Sequence, residues 1–212
     1  MHDYAITKFA VARSRINKRL FIPKLLFLPA ILFAIVSQHI YIEYGFWDTT
    51  WQVVSFLILM SAALGRVWTS AYISGRKSHE LVVDGPYSLT RNPLYFFSLL
   101  AYLGAGLAFE KLTVALAFVV VFWLSHWPTI LAEESKLRKK FGDLYDDYAK
   151  KVPRFWPRIG RMKLPDSVTF SPISFNRAVL HCSFIMLAYV LAHLIEYAQN
   201  AGVVPILLRN VP

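Results

Sequence analysis

The sequence predicts an all-α, membrane-embedded bundle of about five transmembrane helices that carries a cytoplasmic lobe. Three observations predict it. Hydrophobic residues fill 56% of the 212 positions and charged residues only 17%, against about 25% charged in soluble domains. Several apolar stretches reach the ~20 residues that a helix needs to cross a bilayer. The 23 Lys and Arg exceed the 13 Asp and Glu, for a formal charge of +10, and they collect in alternate connecting segments, the pattern that orients membrane proteins.

The elements follow in order. Residues 1–20 read as a basic amphipathic N-terminal segment, with Phe9, Ala12, Ile16 and Leu20 at helical spacing, an interfacial anchor rather than a cleaved signal. A first span covers about Phe21 to Ile42 and a second about Trp51 to Ile73. The apolar region from Leu94 to Leu131, broken only by Glu110-Lys111, would be about 55 Å long as one helix. The hydrocarbon core is about 30 Å thick. It therefore reads as a hairpin of two spans turning at Phe109 to Leu112. Residues 132–175 form the lobe, and a last span lies within 176–199, from about Ala178 to Tyr197. Within the lobe, Arg158 to Ser174 reads as a basic surface connector. All 212 residues form one domain.

Lys8, Arg13, Arg15, Lys18 and Arg19 precede the first span; Arg76, Lys77 and Arg91 lie between the second and third. Ten Lys or Arg fall between Ala132 and Phe175, whereas the alternate loops hold Lys111 and Arg209. This places the N-terminus and the lobe on the cytoplasmic side of a bacterial inner membrane or an endomembrane. Because the charge tracks topology, anionic lipid headgroups are the expected partner and nucleic acid is not. The single cysteine, Cys182, excludes an intrachain disulfide and a Cys-cluster metal site. It reads as a small core residue. His39, His181 and His193 show no metal-ligand spacing and read as structural, so no metal is expected.

Two polar, aromatic-rich blocks bracket the third apolar region. The first runs from His79 to Tyr95 and the second from Glu133 to Pro157. Such blocks beside membrane spans are costly unless they fold together over something, here a cofactor with both charge and an aromatic base. Gly85-Pro86 signals a turn. Pro93 suits the first turn of a helix and biases Asn92 away from helical dihedrals. Arg91 and Asn92 therefore sit at a helix N-terminus, where anions are favoured. The second block is expected to continue the fourth span as one helix, with Glu134, Phe141, Tyr145 and Tyr148 close to one stripe. On its own that helix also reads as a solvated face whose Glu133 and Glu134 pair with Arg138 and Lys139. Val152-Pro153 should break it and let Arg154 to Pro157 fold back.

The motifs His79, Gly85-x-Tyr87, Arg91-Asn92-Pro93-x-Tyr95, Glu133-Glu134-x-x-Leu137, Phe141-Gly142-x-x-Tyr145-x-x-Tyr148 and Val152-Pro153 with Pro157 occur in this order over about residues 75–158. Together they resemble the isoprenylcysteine carboxyl methyltransferase and phospholipid methyltransferase family. The resemblance implies an integral membrane enzyme that uses S-adenosyl-L-methionine. It assigns cofactor binding to His79, Leu81, Val82, Gly85, Tyr87, Arg91, Asn92, Pro93, Tyr95, Glu133, Glu134, Tyr145 and Tyr148. The residue types suit that cofactor. Carboxylates accept ribose hydroxyls or an ammonium, aromatic faces attract a sulfonium, and Arg holds a carboxylate. Three positions depart from the pattern: Asn92 stands where His is usual, Phe97 where Gly is common, and Trp127-Pro128-Thr129 where arginines precede the glutamates. The last two weaken the case for a prenylcysteine carboxylate and leave the cofactor inference; Asn92 keeps a donor and an acceptor but cannot act as a base, so it reads as a positioning residue.

The expected reaction is direct in-line methyl transfer to a lipophilic or membrane-associated acceptor: a prenylcysteine carboxylate, a phospholipid amine, an isoprenoid-like lipid or a small thiol. Arg66, His126 and Arg154 are the catalytic candidates, each with a second reading. Arg66, inside a span, either orients an anionic acceptor or snorkels to the interface. His126 either takes a proton or satisfies a carbonyl. Arg154 either reaches the reaction or holds a lipid phosphate. Two other classes stand beside the methyltransferase: an NADPH-dependent membrane sterol or isoprenoid reductase, and a non-catalytic lipid-binding scaffold. No dinucleotide fingerprint supports the first, since Gly104-Ala-Gly106 lies inside a span.

Overall fold

The computed structural model describes residues 27–41, 45–76, 79–158, 160, 162–168 and 171–211. The expected amphipathic segment 1–20 and the start of the first span lie outside them. Among the described residues the chain forms helix α1 (Phe27–Val36), strand β1 (Ser37–His39), α2 (Phe46–Ile73), α3 (Pro86–Leu89), α4 (Pro93–Leu107), α5 (Leu112–Phe141), α6 (Asp143–Lys151), α7 (Pro172–Asn200) and strand β2 (Leu208–Val211). The all-α expectation is corrected by one small sheet. β1 and β2 pair in parallel, with Ser37 opposite Leu208 and His39 opposite Val211. The chain after α7 thereby supplies partners for backbone groups just past the end of α1, where a helix no longer satisfies its own carbonyls.

Three helices, α2, α5 and the Phe175–Asn200 stretch of α7, are long and apolar enough to cross a membrane, while α1 as described and α4 are shorter. α4 has 15 residues, about 22 Å at 1.5 Å per residue. The hairpin itself is real: α4 and α5 pack together and turn at Ala108 to Lys111. Gly106 permits it, because a Cβ there would press on the Ala115 backbone. Gly104 likewise lets α4 close on Leu59 of α2. The Gly-Ala-Gly run is a packing device. The turn's Glu110 and Lys111, a polar interruption in the sequence, are both buried. Lys111 Nζ donates to the carbonyls of Ala34, at 2.8 Å, and Ser37, capping α1 with a cation at its negative end. Burial pulls the ammonium down to about 8.

α2 packs against α4 on one side and α7 on another. Between α4 and α5, Leu99, Phe122 and Ile130 join Phe155 in one core, flanked by Tyr95, Tyr102 and Trp127. Large apolar residues on the outer faces, such as Leu57, Leu64, Leu116, Leu124, Leu180 and Leu191, are exposed. Rows of this kind along long helices form a surface for lipid, not for water. Cys182 is buried, as a core residue should be.

Phe97, where relatives of the resembling family commonly carry Gly, finds its space across the helix pair. Its ring lies against Gly65 of α2, and a Cβ on Gly65 would overlap it. Gly65→Ala is expected to destabilise the protein by about 1–3 kcal/mol through overpacking. Phe97→Ala in the same chain should recover most of that loss, as read by thermal unfolding of the purified protein in detergent.

Candidate active site

The site lies at the end of the bundle where α2 stops, α4 starts and α5 runs out past the apolar core. Its floor is set by a tight turn. Gly85 begins α3 with φ 56°, a conformation that costs L-residues with a Cβ, and a Cβ there would strike the Tyr72 ring. Gly85 N–H donates to Lys163 O at 2.7 Å, and Lys163 N–H donates to Ser88 Oγ at 3.0 Å. Lys163, within the connector, thus braces this turn, a role its sequence did not disclose.

Asn92 caps α4 with φ −127°, and Pro93 follows in the first turn, where its missing N–H costs nothing. The segment after α6 folds back alongside, as Val152-Pro153 predicts. Arg91 N–H donates to Pro153 O at 2.9 Å and Arg158 N–H to Leu89 O at 3.0 Å. Thr90 Oγ1 donates to Phe155 O at 2.9 Å.

Glu134 joins the three pieces. The residue is 7% exposed. Its Oε1 accepts from Asn92 Nδ2 at 3.0 Å and lies 3.5 Å from Arg91 Nε. Its Oε2 accepts from Arg154 Nε at 2.9 Å. Asn92 Nδ2 also donates to Arg154 O at 2.9 Å. This corrects the solvated-face alternative: Glu134 points into the fold, and Arg138 pairs instead with Asp146 at 2.7 Å. Asn92 serves here as a neutral two-donor clamp, which explains why the position works without an imidazole.

The expected single helix from Glu133 through Tyr148 is also corrected. Gly142, at φ 53°, ends α5 and starts α6 in a new direction. Stripe arithmetic across that break does not hold, yet the break brings the aromatics to the site. Tyr148 OH donates to Tyr87 O at 2.7 Å. Tyr145 is 1% exposed, and its hydroxyl makes no hydrogen bond of ordinary length and angle among the described residues. Burial, seconded by the Glu134 charge, pushes its phenol up. Burial does the same to Tyr87 and Tyr148, further than for Tyr145. All three are neutral hydroxyl donors at physiological pH.

Between these pieces lies a cavity of about 410 Å³, within the range of small-molecule sites. Leu81, Val82, Tyr87, Arg91, Asn92, Pro93, Tyr95, Glu133, Glu134, Tyr145 and Tyr148 all line it, so both sequence blocks face one space. His79 and Gly85 do not line it; Gly85 shapes the turn instead. Ile73, Glu80, Leu94, Lys136, Leu137 and Lys140 complete the wall. Leu137 was legible in the sequence as part of a motif, but nothing there marked the other five, although Lys140 lies one turn after Lys136 and Leu137 on α5. The cavity offers three carboxylates, of which Glu134 is taken up by the wall and Glu133 is half-buried, with four phenols and three cations. The buried Tyr145 hydroxyl, beside Arg91 but without a hydrogen bond of ordinary length and angle, adds a donor for a ligand. This set suits a cofactor carrying both charges.

The three catalytic candidates lie outside that wall. Arg66 does not snorkel: its Nη1 donates to Leu94 O at 3.4 Å and to Ser98 Oγ, just beneath the cavity residues Leu94 and Tyr95. His126 stacks on Phe122 at 4.6 Å and meets the Tyr95 ring edge-on at 5.8 Å. Its Nδ1 lies 3.2 Å from Phe122 O and 2.7 Å from Ser125 Oγ. With Nδ1–H donating to that carbonyl, Nε2 is the acceptor nitrogen. Arg154 is held by Glu134 and lies over the Trp127 ring at 5.8 Å.

Comparison with known proteins agrees with this architecture. Residues 26–144 match the model of the phospholipid methyltransferase family. The chain is 32% identical over 180 residues to the nickel-cobalt-cadmium resistance protein NccN of Alcaligenes xylosoxydans xylosoxydans, covering 82% of each chain. It is 33% identical over 162 residues to the cobalt-zinc-cadmium resistance protein CzcN of Cupriavidus metallidurans, covering 74% of each. It is 37% identical over 83 residues to the protein-S-isoprenylcysteine O-methyltransferase of Schizosaccharomyces pombe, covering 39% of this chain and 35% of that one. No solved structure matches. With apolar helices of membrane length carrying a pocket walled by the two motif blocks, this chain is a membrane methyltransferase of the phospholipid methyltransferase family.

Proposed function

We propose that the cavity binds S-adenosyl-L-methionine and that the chain transfers its methyl group to a lipophilic or membrane-associated acceptor. One observation carries the reading: the block ending at Tyr95 and the block beginning at Glu133 wall a single cavity at one end of the apolar helices. Bound there, the cofactor supplies a methyl group already activated on a sulfonium. Glu133 accepts the ribose hydroxyls or the amino group, while Arg91, Lys136 and Lys140 hold the carboxylate. The faces of Tyr87 and Tyr95 favour the sulfonium charge. The Tyr145 hydroxyl donates to the ligand.

The chain's work is to bind, orient and exclude water. Arg66, anchored to the first turn of α4, orients an anionic acceptor arriving along the bilayer. His126 Nε2 takes the proton if the acceptor is an ammonium. Arg154 and Glu134 hold the wall. We assign five spans to the membrane, with α1 and α4 supplementing the three long helices, and place the cavity on the cytoplasmic side, where the basic lobe meets anionic lipid. Two relatives are named for metal resistance, and we take the response to toxic divalent cations as the setting of the reaction.

The test incubates purified protein with methyl-labelled S-adenosyl-L-methionine and native membrane lipids, with small thiols and prenylcysteine as separate arms. The labelled product names the acceptor. S-adenosylhomocysteine at 100 times its dissociation constant should stabilise the protein by about 2.7 kcal/mol, and NADPH should not. No labelling in any arm, with no stabilisation by S-adenosylhomocysteine, overturns the reading.

A further inference from the structure

At the end of the bundle away from the cavity, four ionisable side chains from four separate segments converge. His39 ends β1, Asp48 lies in the first turn of α2, Glu110 sits in the α4–α5 turn and Glu196 is near the end of α7. One ring nitrogen and three carboxylate oxygens, one from each residue, lie within 4.8 Å of one another. His39 Nε2 is 3.3 Å from Glu196 Oε1 and 3.7 Å from Glu110 Oε2. The first is at the long end of the range for a hydrogen bond, whose usual length is about 2.9 Å, and the second is beyond it. Both are close to the ~3.3–3.6 Å edges of a tetrahedron of metal ligands with bonds of ~2.0–2.2 Å, so the four donor atoms would draw together around an ion.

A second observation points to a ligand. The Glu110 side chain is 1% exposed, yet neither carboxylate oxygen makes a hydrogen bond of ordinary length and angle among the described residues; beside it stand the Asp48 carboxylate and the Gln52 amide. Buried carboxylates are ordinarily paired or bound to a metal. The neighbouring cation does not fill that place, because Lys111 Nζ donates to the Ala34 and Ser37 carbonyls. The surroundings also resemble a built site. The second oxygen of Glu196 meets His193 Nδ1 at 3.3 Å, and Asp48 Oδ2 accepts from Gln52 Nε2 at 3.4 Å. Outer partners of this kind hold metal ligands in position.

We propose that His39, Asp48, Glu110 and Glu196 bind one divalent first-row transition cation of the zinc or cobalt class, which clips α7 to the rest of the bundle. The imidazole selects against magnesium and calcium, which take oxygen ligands. α7 is the helix that gains most, since only 11% of its most apolar window is buried inside the protein. Each ligand comes from a different segment, which is why no spacing in the sequence announces the site.

The test strips the full-length protein in detergent with a chelator and titrates it with Zn²⁺ and Co²⁺ against a chromophoric competitor. One cation per chain is expected, with the visible absorption of four-coordinate Co²⁺ and a rise in thermal midpoint. His39→Ala and Glu196→Gln should abolish stoichiometric binding. His193→Ala, which removes only an outer partner, should weaken it about 10–100-fold. Glu110→Gln keeps the side chain's shape and removes its charge. It should lose the cation while raising the midpoint of the metal-free protein, so lost binding there does not come from lost folding. The proposal is overturned if the wild type binds no stoichiometric cation, binds calcium as well as zinc, or binds equally after His39→Ala and Glu110→Gln. This readout uses no methyl donor, so it stands or falls apart from the transferase reading.

Discussion

Glu134→Ala is expected to abolish methyl transfer and to lower stability together. The carboxylate carries Asn92 on one oxygen and Arg154 on the other, with Arg91 at 3.5 Å. Its removal takes a partner from a buried amide, from the largely buried Arg91 guanidinium and from the partly exposed Arg154. Breaking a buried pair by deleting one partner costs about 3–5 kcal/mol. The lower end applies here, because the Arg154 side chain is 42% exposed and solvent screens its share. The three segments that wall the cavity would then lose their common tie. Thermal unfolding and S-adenosylhomocysteine binding, measured on the same sample, should fall in parallel. A Glu134→Ala protein with normal stability and normal ligand binding would show that the tie is dispensable.

Glu133→Gln should behave in the opposite way. Glu133 is half-buried and lines the cavity one residue before Glu134; its contact across the blocks is with the Tyr95 hydroxyl, which a glutamine can keep, and it stands apart from the Asn92–Arg154 network that Glu134 holds. Losing a hydrogen bond to a charged acceptor costs about 1.5–3 kcal/mol, or about 10–150-fold in affinity at 1.4 kcal/mol per tenfold. Cofactor affinity should drop by that factor while the thermal midpoint of the ligand-free protein stays unchanged. The experiment is isothermal titration with S-adenosylhomocysteine beside an unliganded melt. A fall in stability equal to that of Glu134→Ala would refute the division of labour between the two glutamates.

That division was not readable from the pair Glu133-Glu134 as letters. Adjacent residues on a helix point about 100° apart, so although both line the cavity, only Glu134 also reaches the Asn92 and Arg154 side chains. Which does which depends on where Asn92 and Arg154 stand. The same holds for Tyr145 and Tyr148. Their motif is legible, but the break at Gly142 decides that α6 returns to the site instead of extending α5. Arg66 was noticeable as a cation within an apolar run, yet only the α2–α4 packing shows it tied to Leu94 and Ser98 rather than reaching for the interface. Phe97 looked like a flaw in the pattern until Gly65 supplied the matching notch.

Composition, hydropathy and motif order by themselves determined that this chain is helical, membrane-borne and built around two polar blocks. Those properties are local: burial of an apolar stretch in lipid and the turn chemistry of Gly85, Pro93 and Val152-Pro153 depend on the residues at hand. The tertiary structure decided which glutamate braces and which faces the ligand, where α6 goes, and that His39, Asp48, Glu110 and Glu196 meet. Those contacts join segments that lie up to 157 positions apart in the chain. Their geometry is set by how helices pack and turn, and no spacing along the chain encodes it.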